Sequence, residues 1–577
     1  MSKKFIMKNN PSFLLSKQQL RPLTAALLLA FSPFVTQAAT PVVPGAGNIL
    51  QQAQPPIPAA PLGEGPGVSI VTKPGPAEKG DTSFPFFVKR IEILGNTLFD
   101  TATLHALVAG TEGKDFTLNA LNDRVSLIAK YYHEHGYSLA QAVLPQQTIK
   151  DGVVRVQIIE ARYGKIKLIN TSRVNDSLLH STLTPLQAGE IIGDKALDHP
   201  LLLLSDISGV NINATLAPGE SEGTSDLLIN ATPGPMTISN LVVDNYGNRY
   251  TGRERIGGTV NVLNPLRHGD VLSANLLSSG KGMNYGRLSY EGLVNGNGTR
   301  IGASYSALRY VLGQAFEALN AHGTARVASL WVKHSFLRER NANFYGQLQY
   351  DQLELRDHID ASAIMTDRHL DNWTASFTGD VRDLTASNSL STWSTSLTAG
   401  EVHFDNAAAH ISDLVTARTD GGFSKLNLNL SHMQALPLKN TSLYLSFAGQ
   451  ISDSNLDSSE KMSAGGTYTV RSYDMGAVSA DSGYIASAEL RHELGQIMSG
   501  QYQSVAFIDN AHVTVNKATW ATGANTATLS GLGAGLNWAG PQQWNAKAYV
   551  AKRIGSTPVL VASTPSVRGW IELSKGF

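Results

Sequence analysis

Val567-Arg568-Gly569-Trp570-Ile571-Glu572-Leu573-Ser574-Lys575-Gly576-Phe577 stands at the C-terminal end of the sequence. Positions 567, 571, 573 and 577 are apolar and 568, 572 and 574 polar, the two-residue period of a strand with unlike faces. Lys575 interrupts the apolar face and is expected at an interface, where a long cation can reach water. Leu426-Asn427-Leu428-Asn429-Leu430-Ser431 and Gln347-Leu348-Gln349-Tyr350-Asp351 alternate in the same way. Past Pro235 helical signals nearly vanish, and about sixteen such runs are predicted between 238–245 and 566–577, leaving roughly 21 residues for each strand and its connection, enough for tilted spanning strands of roughly 9–11 residues. In water this pattern means a one-sided core; in an exported chain it equally means lipid outside and a wet lumen inside. The expected fold class is β-rich: a 16-stranded antiparallel transmembrane β-barrel over residues 236–577, preceded by two small α+β domains.

The chain has 577 residues, 46 basic and 46 acidic side chains, no cysteine and 53 glycines. Zero net charge argues against a nucleic-acid binder, which needs a concentrated basic surface. The lack of cysteine excludes a disulfide scaffold, a thiol nucleophile, an iron–sulfur centre and a cysteine-based zinc site.

At the other end, Lys3, Lys4, Lys8, Lys17 and Arg21 precede the apolar run Leu23 to Val35 and the small-residue stretch Thr36-Gln37-Ala38-Ala39. This is the pattern of a cleaved secretory signal peptide, assigned to residues 1–39. Residues 40–84 read as a proline-rich linker in which Ala46 to Gln54 can form two helical turns before Pro55 ends them. Residues 85–161 and 162–235 each carry strand and helix signals. In the first, Phe87 to Leu94 and Val153 to Glu160 are predicted strands, and Leu121, Val125, Ile128, Ala129 and Tyr132 have helical spacing between Leu118 and His135. In the second, Asp176 to Leu183 and Lys195 to Ser208 are predicted helices.

Other constellations carry little chemistry. His133-Glu134-His135 lacks the spacing that puts two imidazoles on one helical face, so no metal site is expected. Gly531-Leu532-Gly533-Ala534-Gly535 is followed by no helix, so it is read as small residues that let strands bend rather than a dinucleotide loop. No nucleophile elbow or phosphate-binding loop is present, so neither a cofactor nor enzymatic activity is expected.

Several motifs together resemble the outer-membrane transporters of two-partner secretion, the haemolysin activation/secretion (TpsB; ShlB/FhaC/HecB) family of the POTRA-barrel superfamily. They are Gly136-Tyr137, Leu144-Pro145-Gln146-Gln147 and Val156 through Glu160 in the first α+β unit, Val243 to Gly252 with Gly269-Asp270, and Tyr310 to Gly313 with Phe316, Leu319 and Gly323. Val470-Arg471-Ser472-Tyr473 is similar to the VRGY motif of the sixth extracellular loop, and Phe507-Ile508-Asp509-Asn510-Ala511 to the FxDxG motif of a late strand. Ser472 and Ala511 stand where the family has glycine, and Ala161 departs likewise.

The resemblance implies two periplasmic POTRA domains, a short plug helix at 46–54, and an Arg471 that reaches the inner wall to pair with Asp509. It makes Val470, Arg471, Ser472, Tyr473, Phe507 and Asp509 the channel motif and Phe577 the barrel-assembly signal. It also implies a partner-binding surface at Tyr137, Pro145, Gln146, Val154, Val156 and Ile158, with Val153 to Glu160 as the exposed strand edge. The implied partner is a large secreted exoprotein, engaged through its N-terminal secretion domain and moved to the cell surface without ATP. Outer-membrane lipid and the barrel-assembly machinery are further expected partners. A barrel-assembly insertase and a passive porin are the alternatives.

Overall fold

The computed structural model describes residues 43–54, 68–70, 84–383 and 388–577; the predicted signal peptide and most of the linker lie outside them. No helix among the described residues is long and apolar enough to cross a membrane. The crossing is made by strands. Sixteen of them, β10 (Thr237–Asp244), β11 (Arg255–Leu263), β12 (Val271–Ser278), β13 (Met283–Leu293), β14 (Arg300–Val311), β15 (Ala321–Arg338), β16 (Ala342–Ile359), β17 (Ile364–Asp383), β18 (Ser389–Phe404), β19 (Gly421–Ala435), β20 (Thr441–Ser452), β23 (Ser482–Ile497), β24 (Gly500–Thr514), β25 (Thr526–Ala539), β26 (Trp544–Arg553) and β27 (Val567–Gly576), form a closed antiparallel barrel in chain order. The last strand meets the first from Asn240↔Gly576 to Asp244↔Glu572, and Phe577 exchanges backbone hydrogen bonds with Ser239 at 2.9 and 3.2 Å. Closure leaves no strand edge in lipid, which is the condition for a sheet to span a bilayer.

Alternation sorts the side chains as expected. Leu276, Leu288, Leu330, Trp373, Ile508, Leu532 and Ile571 are exposed on the outside, while Tyr285, Leu308, Leu355 and Phe507 are buried inside. Lys575 lies outward at the periplasmic end, its ammonium 5.5 Å from the ring centres of Trp544 and Phe577 and donating to the Gln542 carbonyl, the interfacial position predicted for it.

Two α+β modules precede the barrel. The first contains β2 (Phe86–Val88), β3 (Arg90–Leu94), α2 (Thr101–Val108), β4 (Lys114–Phe116), α3 (Leu118–Glu134), β5 (Gln141–Val143) and β6 (Val153–Ile159). The run predicted as one strand from Phe87 breaks at Lys89, whose N–H turns to the Gly152 carbonyl, so that β2 pairs with β4 and β3 with β6. The second contains β7 (Arg162–Asn170), α4 (Asp176–Leu183), α5 (Asp194–Ser205), β8 (Val210–Pro218) and β9 (Thr224–Pro233). A linker segment, β1 (Val68–Ile70), adds to its sheet as a parallel edge strand on β8.

The expected partner-binding surface needs correction. Strand β6 is the middle of the sheet β3-β6-β5, not an edge. Val154, Val156 and Ile158 are buried beneath α3, in a core with Leu121, Val125 and Ile128, so no ligand reaches their side chains. Where β5 stops short, the Gln147 amide takes the place of a strand, accepting from the Arg155 N–H and donating to its carbonyl, both at 2.8 Å. Tyr137 is half-buried at the junction of the modules: its ring stacks edge-on to Phe99, and the adjacent Gly136 carbonyl accepts from Asp194 N–H at 2.9 Å. Pro145 and Gln146 are exposed.

Glu160 ties the first module together. Its buried carboxylate accepts from the N–H groups of Thr97 and Leu98 at 2.7 and 2.9 Å, from the Thr97 hydroxyl, and from Tyr132 Oη at 2.7 Å. Burial pushes its pKa up, and these hydrogen bonds outweigh burial and hold it below the ordinary value. A lowered folded-state pKa stabilises above the unfolded value of about 4.3 and is lost as pH falls through the folded one. Glu160→Gln is therefore expected to weaken this module by about 2 kcal/mol near neutral pH, since the donors then face a neutral amide. Hydrogen exchange of α3 in the full-length protein checks it: the difference from wild type should shrink as the pH falls below 4.3 or so.

Candidate functional site

The long connection between β20 and β23 does not stay outside. Its residues 453–481 return into the barrel, forming a small hairpin of β21 (Met462–Ala464) and β22 (Val478–Ala480), and present Arg471 to the inner faces of β23 and β24. The guanidinium grips Asp509 with two donors, Nε at 2.9 Å and Nη2 at 2.6 Å, and the Arg471 N–H adds a third bond at 3.0 Å. Nη1 donates to Glu489 at 2.6 Å and Nη2 to Ser487 at 3.0 Å. The cation also lies 3.5 Å from the Phe507 ring centre, and Trp570 Nε1 donates to its carbonyl at 2.7 Å. Side-chain exposure is 6% for Arg471 and 0% for Asp509. A planar fork of donors against a carboxylate, with an aromatic face behind it, is an arrangement that only arginine makes.

Val470 and Tyr473 flank this contact, fully buried in a cluster with Ala511, Val513, Ala527 and Leu529. The departures from the family's glycines are accommodated by others. A Cβ on Gly531 would overlap the Ser472 hydroxyl, one on Gly533 the Phe507 ring, and one on Gly535 the Tyr549 ring. The glycine run expected to let strands bend thus clears lumen space for the side chains that seat Arg471. Ala511 is fully buried in the regular ladder of β24, without a positive φ.

A second polar centre, absent from the sequence reading, lies four to six strands around the wall from the first. Asp357 of β16 accepts from Arg368 Nη1 at 2.8 Å and from Tyr310 Oη at 2.5 Å. Arg368 in turn donates to Asp457 of the loop at 2.5 Å and to the Ser458 hydroxyl at 3.0 Å. Lys425–Glu460 at 2.7 Å fastens the loop further to β19, and Lys461–Asp481 at 2.5 Å braces the loop internally.

Helix α1 (Ala46–Ala53) sits between these centres inside the barrel, burying Ile49 and Leu50 against Tyr250, Leu308, Tyr310 and Leu355. Its first N–H, from Ala46, donates to Asp357 at 2.6 Å, and its last turn offers the Gln52 carbonyl to Arg255 at 3.2 Å. A carboxylate at the N-terminus and a guanidinium at the C-terminus match the helix dipole. Asn48 donates to Ser479 at 2.8 Å, and Gln51 to the Ser459 and Lys461 carbonyls at 2.5 and 2.7 Å, so helix and loop also hold each other. Gly47 permits this approach, because a Cβ there would strike the Ser459 backbone. The Val243 to Gly252 motif serves the same assembly. Asp244 holds Arg255 through two bonds at 2.8 and 3.2 Å, and Asn248 donates to the Gln52 side chain at 3.0 Å.

Residues 223–538, more than half of the chain, match the profile of the haemolysin secretion/activation protein ShlB/FhaC/HecB. The chain belongs to this family. It is an outer-membrane β-barrel transporter whose POTRA modules lie in the periplasm, and residues 86–161 match the family's ShlB-type POTRA domain. Heme/hemopexin transporter protein HuxB of Haemophilus influenzae is 28% identical over 511 residues, covering 86% of this chain and 88% of that protein. Outer membrane transporter CdiB of Escherichia coli is 23% identical over 198 residues, 34% of this chain and 33% of CdiB. The fold is that of the solved CdiB structures. The Escherichia coli protein has a TM-score of 0.66 at 17% identity over 88% of this chain and 93% of that one. The Acinetobacter baumannii protein has 0.57 at 18% over 89% and 94%.

Proposed function

We propose that this family member captures a large, β-rich exoprotein through its N-terminal secretion domain and passes it through the barrel without ATP. The observation that carries this is the pairing of the linker strand β1 with the edge of β8, from Val68↔Ala214 to Ile70↔Leu216. A strand edge supplies main-chain hydrogen bonds to any extended segment, so an incoming chain can replace β1 by β-augmentation. The linker connects β1 to α1, and its displacement would draw on the helix in the lumen. Capture would thereby be coupled to opening, with folding of the exoprotein outside giving direction. In this scheme residues 1–39 are a removed signal, 40–84 the linker and plug, 85–161 and 162–235 the capture modules, and 236–577 the conduit. Arg471 and its partners would hold the loop in the resting state.

The test uses the cysteine-free sequence. Ser69→Cys with Thr215→Cys places two thiols at directly paired positions, near enough for a disulfide. Oxidised cells should release less than a tenth of the exoprotein, and reductant should restore it. The cargo is the protein that disappears from medium and surface proteomes when the gene is deleted. A general fall of barrel proteins on deletion would replace this reading by an insertase, and no change by a porin. Undiminished secretion by the cross-linked form would refute capture at β8.

A further inference from the structure

The lipid-facing wall of β11 to β15 is not a smooth apolar belt. It holds a groove of about 860 Å³. Its floor follows one cross-strand row in direct register, Gly258↔Leu276, Leu276↔Gly286, Gly286↔Ala307 and Ala307↔Arg326. Gly286 and Ala307, with Gly258 beyond, leave the wall thin there; Leu276 stands exposed between the two glycines, and Leu241, Ile256 and Val260 rise at the far end. Directly above, toward the extracellular end, runs a second row that is entirely polar: Ser278↔Asn284, Asn284↔Arg309, Arg309↔Thr324 and Thr324↔Arg356.

Three guanidinium groups, Arg309, Arg326 and Arg356, thus stand together at one end of an apolar trough, on the membrane face and near the outer rim. Arg326 and Arg356 share one carboxylate, Glu354, the former at 3.3 Å. The cross-strand neighbours of Arg309 are the neutral Asn284 and Thr324. The sector beside it is the opposite: on β17 and β18, Asp371 stands across from Glu401, with Asp367 two strand positions nearer the rim than His369. Positive charge on the lipid face is costly near mid-membrane and is tolerated near the interfaces. Here three arginines are gathered over a cleft, with Lys552 of β26 standing apart on the rim, and snorkelling alone does not require that clustering.

We propose that this groove binds one phosphorylated, multiply acylated glycolipid of the outer leaflet. Acyl chains would lie along the Gly258–Ala307 floor, and phosphates would rest against Arg309 and Arg326, with Asn284, Ser278 and Thr324 available to sugar hydroxyls. Guanidinium matches phosphate oxygens with paired donors, and charge-assisted bonds at the edge of a low-dielectric medium are the strong ones. The proposal rests on the outer-membrane placement of the barrel and is independent of what the pore carries.

Native mass spectrometry of the full-length protein in non-ionic detergent, titrated with hexa-acylated bisphosphorylated lipid A, tests it. Wild type should retain one molecule. Arg309→Ala with Arg326→Ala should weaken retention at least tenfold. Gly286→Leu, which fills the floor and leaves every charge, should do the same, and Ala307→Met serves if Gly286→Leu fails to fold. Equal retention by the arginine variant or by the folded floor variant would overturn the site. So would equal retention of phosphatidylglycerol, which assigns the groove to ordinary phospholipid. Equal binding of the deacylated bisphosphorylated disaccharide would overturn it too, since the trough would then play no part.

Discussion

Arg471→Ala is expected to abolish secretion while leaving the barrel assembled. The substitution strands the fully buried Asp509 carboxylate with only Ser487 Oγ, at 2.8 Å, still donating to it from a side chain, and leaves Glu489 with Arg491 alone, at 2.7 Å. Removing one member of a buried pair costs about 3–5 kcal/mol. That cost falls on the loop, because the strand ladders to either side do not pass through Arg471. Lysine should rescue poorly: a single ammonium cannot make both bonds to Asp509 and also lie flat on Phe507. Protease accessibility of residues 453–481 on intact cells, measured beside the released exoprotein, gives the answer. A loop that stays protected while secretion continues would mean that the pair is structural decoration. Asp509→Asn should resemble Arg471→Ala, and the double variant should be less than additive, as for two members of one contact.

Asp357→Ala is expected to open the pore at rest. This carboxylate holds the first N–H of α1, the Tyr310 hydroxyl and Arg368 together. Arg368 is the group that fastens the loop at Asp457. Its loss therefore frees the helix and loosens the loop at once, and a change of about 3–5 kcal/mol shifts a closed-to-open ratio by roughly two to four powers of ten. Single-channel recording in planar bilayers should show long-lived open states, and cells should become sensitive to large antibiotics. Glu460→Gln, at the Lys425 contact 2.7 Å away, should loosen the loop without freeing the helix. Unchanged conductance in Asp357→Ala would show that helix α1 is held by its apolar face alone.

The sequence revealed what period and motif can reveal. Alternation exposed the barrel because each strand has one face in lipid and one in the lumen. The pairing of Arg471 with Asp509 was legible because both lie in short motifs. Asp357, Arg368 and Asp457 belong to no motif, and their contacts are set by which strands barrel closure places around the lumen. For Asp357 and Arg368 the only signal was a charged residue at an inward position on a strand, and Asp457, in the loop, had none. Val154, Val156 and Ile158 misled for the same reason that β6 was recognisable: a strand with one strongly apolar face looks like a docking edge until the helix that covers it is placed. The glycines at 531, 533 and 535 show no local pattern distinguishing flexibility from clearance, since the side chains they accommodate are those of Ser472, Phe507 and Tyr549.

Strand length changes around the circumference, from 8 residues in β10 and β12 to 20 in β17. With about 3.3 Å per residue and a tilt near 40°, that is a wall roughly 20 Å tall on one side and roughly 50 Å on the other. The apolar band needs only about 25 Å, and above the ring pair of Tyr350 and Trp373, whose centres are 5.1 Å apart, β16 continues to Ile359. The excess therefore stands clear of the bilayer as a parapet over the β15–β18 quarter of the mouth. A polypeptide emerging beneath it meets a tall wall on the β15–β18 side and a lower one over the short strands beside the closing seam. The exit is thus directional around the rim as well as along the axis, and the first folded turns of the cargo would form next to the membrane surface at β26, β27 and β10.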